Sequence, residues 1–363
     1  MDTLLILLLV SITLSLPGNF LVIRNLAMSC DAISHTTLLG IVLAWLIVRD
    51  IDNPFLILGA CATGVITTIL IEALTRYAKL QKDASIGIIY SFFFALAVLL
   101  VTKFARNTHL SVDLILMGEI LYATLRQTTF LGISVPIPVI TMSIVLLINT
   151  AFICLFYKEL KVSSFDKVYA ETSGFGSIFL HIGLMSVVSL SCVVAFDSIG
   201  AVLVLAFFVC PAACSFLVSD SLFQMILGSI IFAIIMSVTG FMASMALNVS
   251  LAGMCATTGG AMVILVSAFG PHGALYTHAQ AKKLAQAQAG NTLLEHIYHH
   301  STNSYEERIR ELRISTIHAH LGWDRRKFNK TYHYLIRQGY VKPNLDDTYC
   351  PQLTTKGRNV LKQ

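Results

Sequence analysis

No G-x-x-x-x-G-K-[ST] loop occurs anywhere in the 363 residues, which excludes a P-loop nucleotide site on this polypeptide. The eight cysteines (Cys30, Cys61, Cys154, Cys192, Cys210, Cys214, Cys255 and Cys350) form no CxxC pair and sit mostly in apolar runs. That spacing argues against a disulfide framework or a thiolate zinc site. Cys210 and Cys214 in "CPAAC" read as small residues at a helix contact rather than as a soft-metal pair. The N-terminus "MDTLLILLLVSITLSLPGNF" lacks the positive n-region and small-residue cleavage site of a secretory signal, so it is expected to be a retained first span. Charge is also scarce. Only 12% of residues are charged and 56% are hydrophobic, whereas soluble domains carry about 25% charge, so the chain is of the membrane class.

What charge there is divides unevenly. Residues 1–279 hold 11 Lys and Arg against 13 Asp and Glu, and residues 280–363 hold 14 against 7. Two domains with different solvents follow from that split. Apolar runs near the length of a span, about 20 residues, fall at 3–23, 34–49, 54–75, 85–103, 134–157, 176–195, 198–217, 222–246 and 250–270. The stretches 85–125 and 190–220 are hard to divide, so about eight or nine transmembrane helices are expected. Alternate connections carry Arg24, Arg76, Lys79, Lys82, Lys158, Lys161 and Lys167 on one side, against Arg49, Lys103, Arg106 and Arg126 on the other. With the basic tail on the richer side, the positive-inside rule puts the C-terminus in the cytoplasm and the N-terminus outside.

Within this apolar setting "SCDAISHTTLLG" places Asp31 and His35 four positions apart, one helical turn, so both point the same way from a helix. Ionisable groups in a span cost about 2.5–3.5 kcal/mol on insertion scales and mark pathways or sites. A carboxylate with an imidazole suits Mn²⁺, Zn²⁺ or Fe²⁺, and two ligands hold an ion loosely enough to release it. The alternative is that Asp31 caps a helix and His35 makes a local hydrogen bond. His109, Asp113 and Glu119 could guide an arriving cation, or form a plain polar loop.

The order of several segments resembles the permease subunits of metal-ion ABC transporters, which serve zinc, manganese and iron uptake. These are "FLVIRNLAMSCDAISHTTLLGIVLAW" (20–45), "KLQKDASIGIIYSFFFALAVLL" (79–100), "HLSVDLILMGEIL" (109–121), "SSFDKVYAETSGF" (163–175) and "SIGAVLVLAFFVCPAACSFLVSDSLFQM" (198–225). The resemblance covers roughly 1–275. Cys30 stands where the family has Gly, and "NVSLAGMCATTGGAMVIL" (248–265) lacks its Asp-x-Pro-x-Gly. It implies Asp31 and His35 as metal ligands and a bacterial plasma-membrane location. It also implies three partners: a cytoplasmic ATP-binding subunit, a second permease copy or paralogue, and an extracytoplasmic metal-binding protein. No permanently bound cofactor is expected. The ATPase contact is expected first at Ser219, Asp220 and Ser221, and second at Phe165 and Asp166.

Past a helical or flexible linker at 279–290, residues 291–363 read as a small α+β domain with a helix-turn-helix pattern. Leu293, Leu294, Ile297 and Tyr298 mark an apolar face; Gly322 ends one helix, and Asp324 opens the next, which stops at Gly339. A strand, an Asp-Asp turn, a second strand and a helix opened by Thr354 or Thr355 would follow. The pattern resembles a winged-helix domain of diphtheria-toxin-repressor-like regulators, but without their metal-sensing ligand set, so no metal response is expected of the tail. Arg325, Arg326, Lys327, Asn329, Lys330 and His333 could meet DNA phosphates and base edges, or form a solvated basic face near anionic lipid.

The chain is thus expected to be an all-α polytopic membrane protein, with a permease domain at 1–278 and a winged helix at 291–363. The expected function is ATP-driven import of a divalent transition metal. The runner-up is a membrane-anchored, metal-responsive transcriptional regulator whose spans tether or sense.

Overall fold

A computed structural model describes residues 2–50, 53, 55–104, 127–130, 133–172, 177–271, 273–301, 305–314, 316–342 and 350–361. They divide into two compact units, Met1–Gly273 and Ala274–Gln363. The first unit runs through α1 (Asp2–Ile23), α2 (Ala27–Val48), α3 (Phe55–Tyr77), α4 (Lys82–Phe104) and a hairpin of β1 (Gln127–Phe130) and β2 (Ile133–Pro136). It continues with α5 (Ile137–Leu155), α6 (Tyr157–Phe165), α7 (Lys167–Thr172), α8 (Ser177–Ile199), α9 (Ala201–Phe216), α10 (Leu222–Leu247) and α11 (Leu251–Phe269).

Among the described residues, eight helices are long and apolar enough to cross a membrane: α1–α5, α8, α10 and α11. The expected span 198–217, seventh of the nine, is corrected to the 16-residue α9. At 1.5 Å per residue α9 is about 24 Å long, short of a hydrocarbon core of about 30 Å. Its start is set by Gly200, which turns the chain at φ 77° directly after α8. The helix then buries Leu203, Val204, Phe207 and Phe208 completely.

α1 is the axis of this unit. It packs on α5, α8, α9 and α10, which is why its apolar residues run all round rather than along one stripe. Polar side chains tie it to its neighbours. Asn19 Nδ2 donates to Ser229 Oγ of α10 at 2.7 Å, while Asn149 Nδ2 of α5 donates to Thr13 O at 3.0 Å and Ser191 Oγ at 2.9 Å. Such bonds join helices where hydrophobic burial cannot, because lipid is as apolar as leucine. Gly18 lies so close to the Phe208 carbonyl that any Cβ there would collide with it.

The second unit contains α12 (Ala274–Ser301), α13 (Tyr305–Leu312), α14 (Ile317–His320), α15 (Arg325–Arg337), β3 (Val341–Lys342), β4 (Gln352–Leu353) and α16 (Thr355–Val360). The expected linker 279–290 and the first tail helix form one continuous helix, as their Ala, Gln and Lys content favours. The core holds Leu293, Leu294, Ile297, Leu312, Ile317, Phe328, Tyr332 and Leu335. Tyr298, expected on the apolar face, is 44% exposed. Gly322 and Gly339 take the positive φ of helix ends, at 62° and 72°. Asp324 stands at the cap position of α15, but its side chain makes no cap bond. Thr354 does cap α16, accepting from Gly357 N at 3.0 Å. The strands pair antiparallel, Val341 with Leu353 and Lys342 with Gln352, and the Asp-Asp turn lies outside the described residues. Phe328 is 1% exposed, so Phe328→Ala is expected to cost about 3–5 kcal/mol. Limited proteolysis against temperature reads this as earlier digestion of the tail.

Candidate functional site

α2 starts at Ala27, earlier than the expected 34, with Leu26 at the cap position and no side-chain cap bond. Asp31 is therefore inside the helix, beyond its first turn, which removes the capping alternative. His35 Nε2 stands 3.7 Å from Asp31 Oδ1, an ion-pair separation rather than a hydrogen bond. Nδ1 of His35 is buried and has no hydrogen-bond partner among the described residues. From α4, Tyr90 and Phe94 hold the imidazole, with ring centroids at 5.3 and 5.7 Å. The aromatic clamp is not evident from the sequence around 31–35, because it comes from a different span.

The pair lies at the open end of its face of α2. Met28, one turn before, is 60% exposed and the Asp31 and His35 side chains are 41% and 30% exposed, whereas Leu38, Leu39 and Val42 further along are buried. Facing lipid is unfavourable for a carboxylate, so this end calls for protein or water against it. Among the described residues no third His, Cys, Asp or Glu completes a ligand cluster with the pair. Asp31 and His35 offer two donors from one turn, held by a stiff helix. His109, Asp113 and Glu119 lie outside the described residues.

The two segments expected to contact an ATPase lie at one end of the helical unit. Phe20 of α1, Leu160 of α6, Leu184 of α8 and Leu222 of α10 share an apolar cluster there. Arg24, in the α1–α2 turn, donates to Ser164 Oγ at 2.9 Å and Ser163 Oγ at 2.7 Å. Only 217–221 lie between α9 and α10, because the helix runs on past Pro211 to Phe216. In this turn Ser221 Oγ accepts from Gln224 N at 3.4 Å, and Asp220 N donates to Gln224 Oε1 at 3.2 Å. Ser219 Oγ is 3.3 Å from Ser215 Oγ. These bonds give the turn a structural task. Asp166 likewise accepts from Tyr169 N at 2.9 Å, yet around it Phe165, Val168 and Tyr169 stand 64%, 73% and 58% exposed. An open apolar trio beside a polar turn is the more distinctive docking feature.

In the tail, Arg325, Arg326, Lys327, Asn329, Lys330 and His333 are all exposed on α15, with the Lys327 ammonium 4.7 Å from the Trp323 ring centroid. His296, His300 and Glu311 are brought together by α12 and α13.

Residues 1–270 match the model of the ABC 3 transport family. The chain belongs to this family. It is a multi-pass membrane permease subunit of an ABC transporter. It is 34% identical to the zinc transport system membrane protein TroD of Treponema pallidum over 344 residues, covering 94% of this chain and 93% of TroD. That alignment extends well into the C-terminal unit. The manganese transport system membrane protein MntD of Bacillus subtilis is 38% identical over 263 residues, 72% of this chain and 88% of MntD. The structure of PsaBC from Streptococcus pneumoniae in complex with Fab superposes with a TM-score of 0.63 at 26% identity, covering 77% of this chain and 94% of that one.

Proposed function

We propose that this permease imports a divalent transition metal, manganese, zinc or iron, across a bacterial plasma membrane, driven by ATP hydrolysis on a separate subunit. The observation that carries the reading is the partly exposed Asp31–His35 pair near the start of α2. Oxygen and imidazole donors suit these ions. The names of relatives with 34% and 38% identity refer to zinc and manganese. Two donors from one chain leave a coordination shell incomplete, and a second permease copy presenting the same face would both complete it and cover the carboxylates. An extracytoplasmic binding protein would deliver the ion. Isotope uptake with the three ions in competition tests the assignment: one of them should displace the others at the lowest concentration. Uptake unaffected by all three would refute it.

The ATP-binding subunit is proposed to dock on the cytoplasmic end, with Phe165, Val168 and Tyr169 as its main contact and Ser219 and Asp220 at its margin. Cysteines at Val168 and Ser219 are expected to crosslink to the co-expressed ATPase, Val168 more efficiently. Crosslinking at Ser219 alone would move the main contact to the α9–α10 turn.

A second reading concerns the tail, which is proposed to be a cytoplasmic winged helix. The exposed Arg325, Arg326, Lys327 and Lys330 favour contact with a polyanion, for which duplex DNA is the candidate. Affinity for the promoter region of its own operon should then fall steeply between about 50 and 200 mM salt. No retardation of that duplex at the lower salt removes the DNA reading, and with it the tethered-regulator alternative.

A further inference from the structure

We propose that the C-terminal unit carries a binding site for a divalent first-row transition ion, with His296, His300 and Glu311 as ligands. His296 and His300 lie one turn apart on α12, with ring centroids 4.6 Å apart and planes inclined at 56°. Glu311 comes from the last turn of α13. One donor atom from each of the three lies within 4.8 Å of the others, and all three residues are half-buried. Bonds of about 2.0–2.2 Å to an ion require donors roughly 3–3.6 Å apart, so closure asks for a movement of about 1 Å by side-chain rotation. The α12 side chain already reaches the end of α13: His296 Nε2 lies 3.5 Å from the Glu311 carbonyl oxygen.

A fourth group supports the set. His320, from α14, holds its Nδ1 3.2 Å from Glu311 Oε2. In metal sites a partner of this kind fixes the orientation of a ligating carboxylate. An ordinary ion pair would need Glu311 and one histidine; it gives no reason for two further imidazoles, one turn apart on α12, to hold donor atoms within 4.8 Å of it. The helices that carry the ligands are fixed beneath them by Leu293, Ile297, Leu312 and Ile317 in the core of the unit, so the donors stand on a rigid base. Two imidazoles and a carboxylate, with no thiolate, select Zn²⁺, Co²⁺, Fe²⁺ or Mn²⁺ over Cu⁺. A bound ion would bridge α12 and α13 in addition to the core contacts of Leu293, Ile297 and Leu312.

This site is separate from the Asp31–His35 pair and does not depend on its role. The test therefore uses the full-length chain in detergent, with Asp31→Ala and His35→Ala already introduced to remove ion binding there. Zn²⁺ bound after equilibrium dialysis and the visible spectrum of bound Co²⁺ are the readouts. One equivalent of Zn²⁺ per chain is expected to be lost on adding His296→Ala and His300→Ala, together with the Co²⁺ absorption. Glu311→Gln and His320→Gln should each weaken binding about tenfold or more, and His299→Ala should leave it unchanged. Thermal unfolding shows whether each variant remains folded. Retention of the equivalent and of the Co²⁺ spectrum by a folded His296→Ala/His300→Ala chain would overturn the proposal. Should that double variant fail to fold, Glu311→Gln decides alone, and unaltered affinity in it would overturn the proposal equally.

Discussion

Asp31→Ala and His35→Ala are each expected to lower metal uptake by about a hundredfold or more while leaving membrane insertion intact. Each removes one of the two donors found at this site among the described residues, and changes to groups that merely support a ligand already cost about 10–100-fold in affinity or activity. The pair is poised rather than satisfied. Its 3.7 Å separation is too long for a hydrogen bond, and the buried His35 Nδ1 has no hydrogen-bond partner among the described residues. Packing against Tyr90 and Phe94 keeps the imidazole from swinging away. Insertion should survive because removing an ionisable group from a span lowers its insertion cost, by about 2.5–3.5 kcal/mol for a carboxylate at the helix centre. Asp31→Asn separates shape from charge and should be nearly as defective as Asp31→Ala. Uptake at the wild-type level in both alanine variants, with normal protein in the membrane, would remove the metal assignment.

Gly40→Leu should be as damaging for a different reason. α2 and α3 meet at Gly40 and Gly59, where the two backbones touch: a Cβ at Gly40 would strike the Gly59 carbonyl and the Thr63 hydroxyl. Close approach of small residues is what drives span association in lipid. A leucine there has nowhere to go in either backbone, so α2 must separate from α3 or the pair must slide. Over-packing of a well-filled interior costs about 1–3 kcal/mol even where side chains can yield, and a backbone carbonyl cannot yield. Because α2 carries Asp31 and His35, uptake should fall with stability. The expected result is a drop of several degrees in the detergent melting temperature together with loss of uptake. Gly87→Leu, at a position with open space around it, serves as the control and should change neither. Equal effects of the two substitutions would show that helix contact at Gly40 is not what matters.

Most of the membrane unit was legible in the sequence because a span is a composition signal, and apolar runs report it whatever they pack against. The exceptions had local causes. α9 was read too long because a left-handed glycine, Gly200, splits an apolar stretch without changing its hydropathy. α2 begins before the apolar run at 34 because Ser29 and Cys30, buried against neighbouring spans, continue the helix through residues that hydropathy does not count. Asp31 and His35 were visible because their relation is local, one turn of one helix. Tyr90 and Phe94 were not, because they approach from another span. The same limit applied to the tail. His296 and His300 carried the spacing of a helical ligand pair, but Glu311 and His320 reach them only through the fold of α13 and α14. For docking, exposure was decisive: Val168 and Tyr169 are unremarkable in sequence and stand open in the structure.

Isotope uptake into liposomes holding this chain, a second permease copy or paralogue and the ATP-binding subunit, with the extracytoplasmic binding protein added, tests the central claim most directly. Accumulation of manganese, zinc or iron should require ATP and should vanish with Asp31→Ala. An assembled complex that hydrolyses ATP yet accumulates none of the three ions would contradict metal import by this permease.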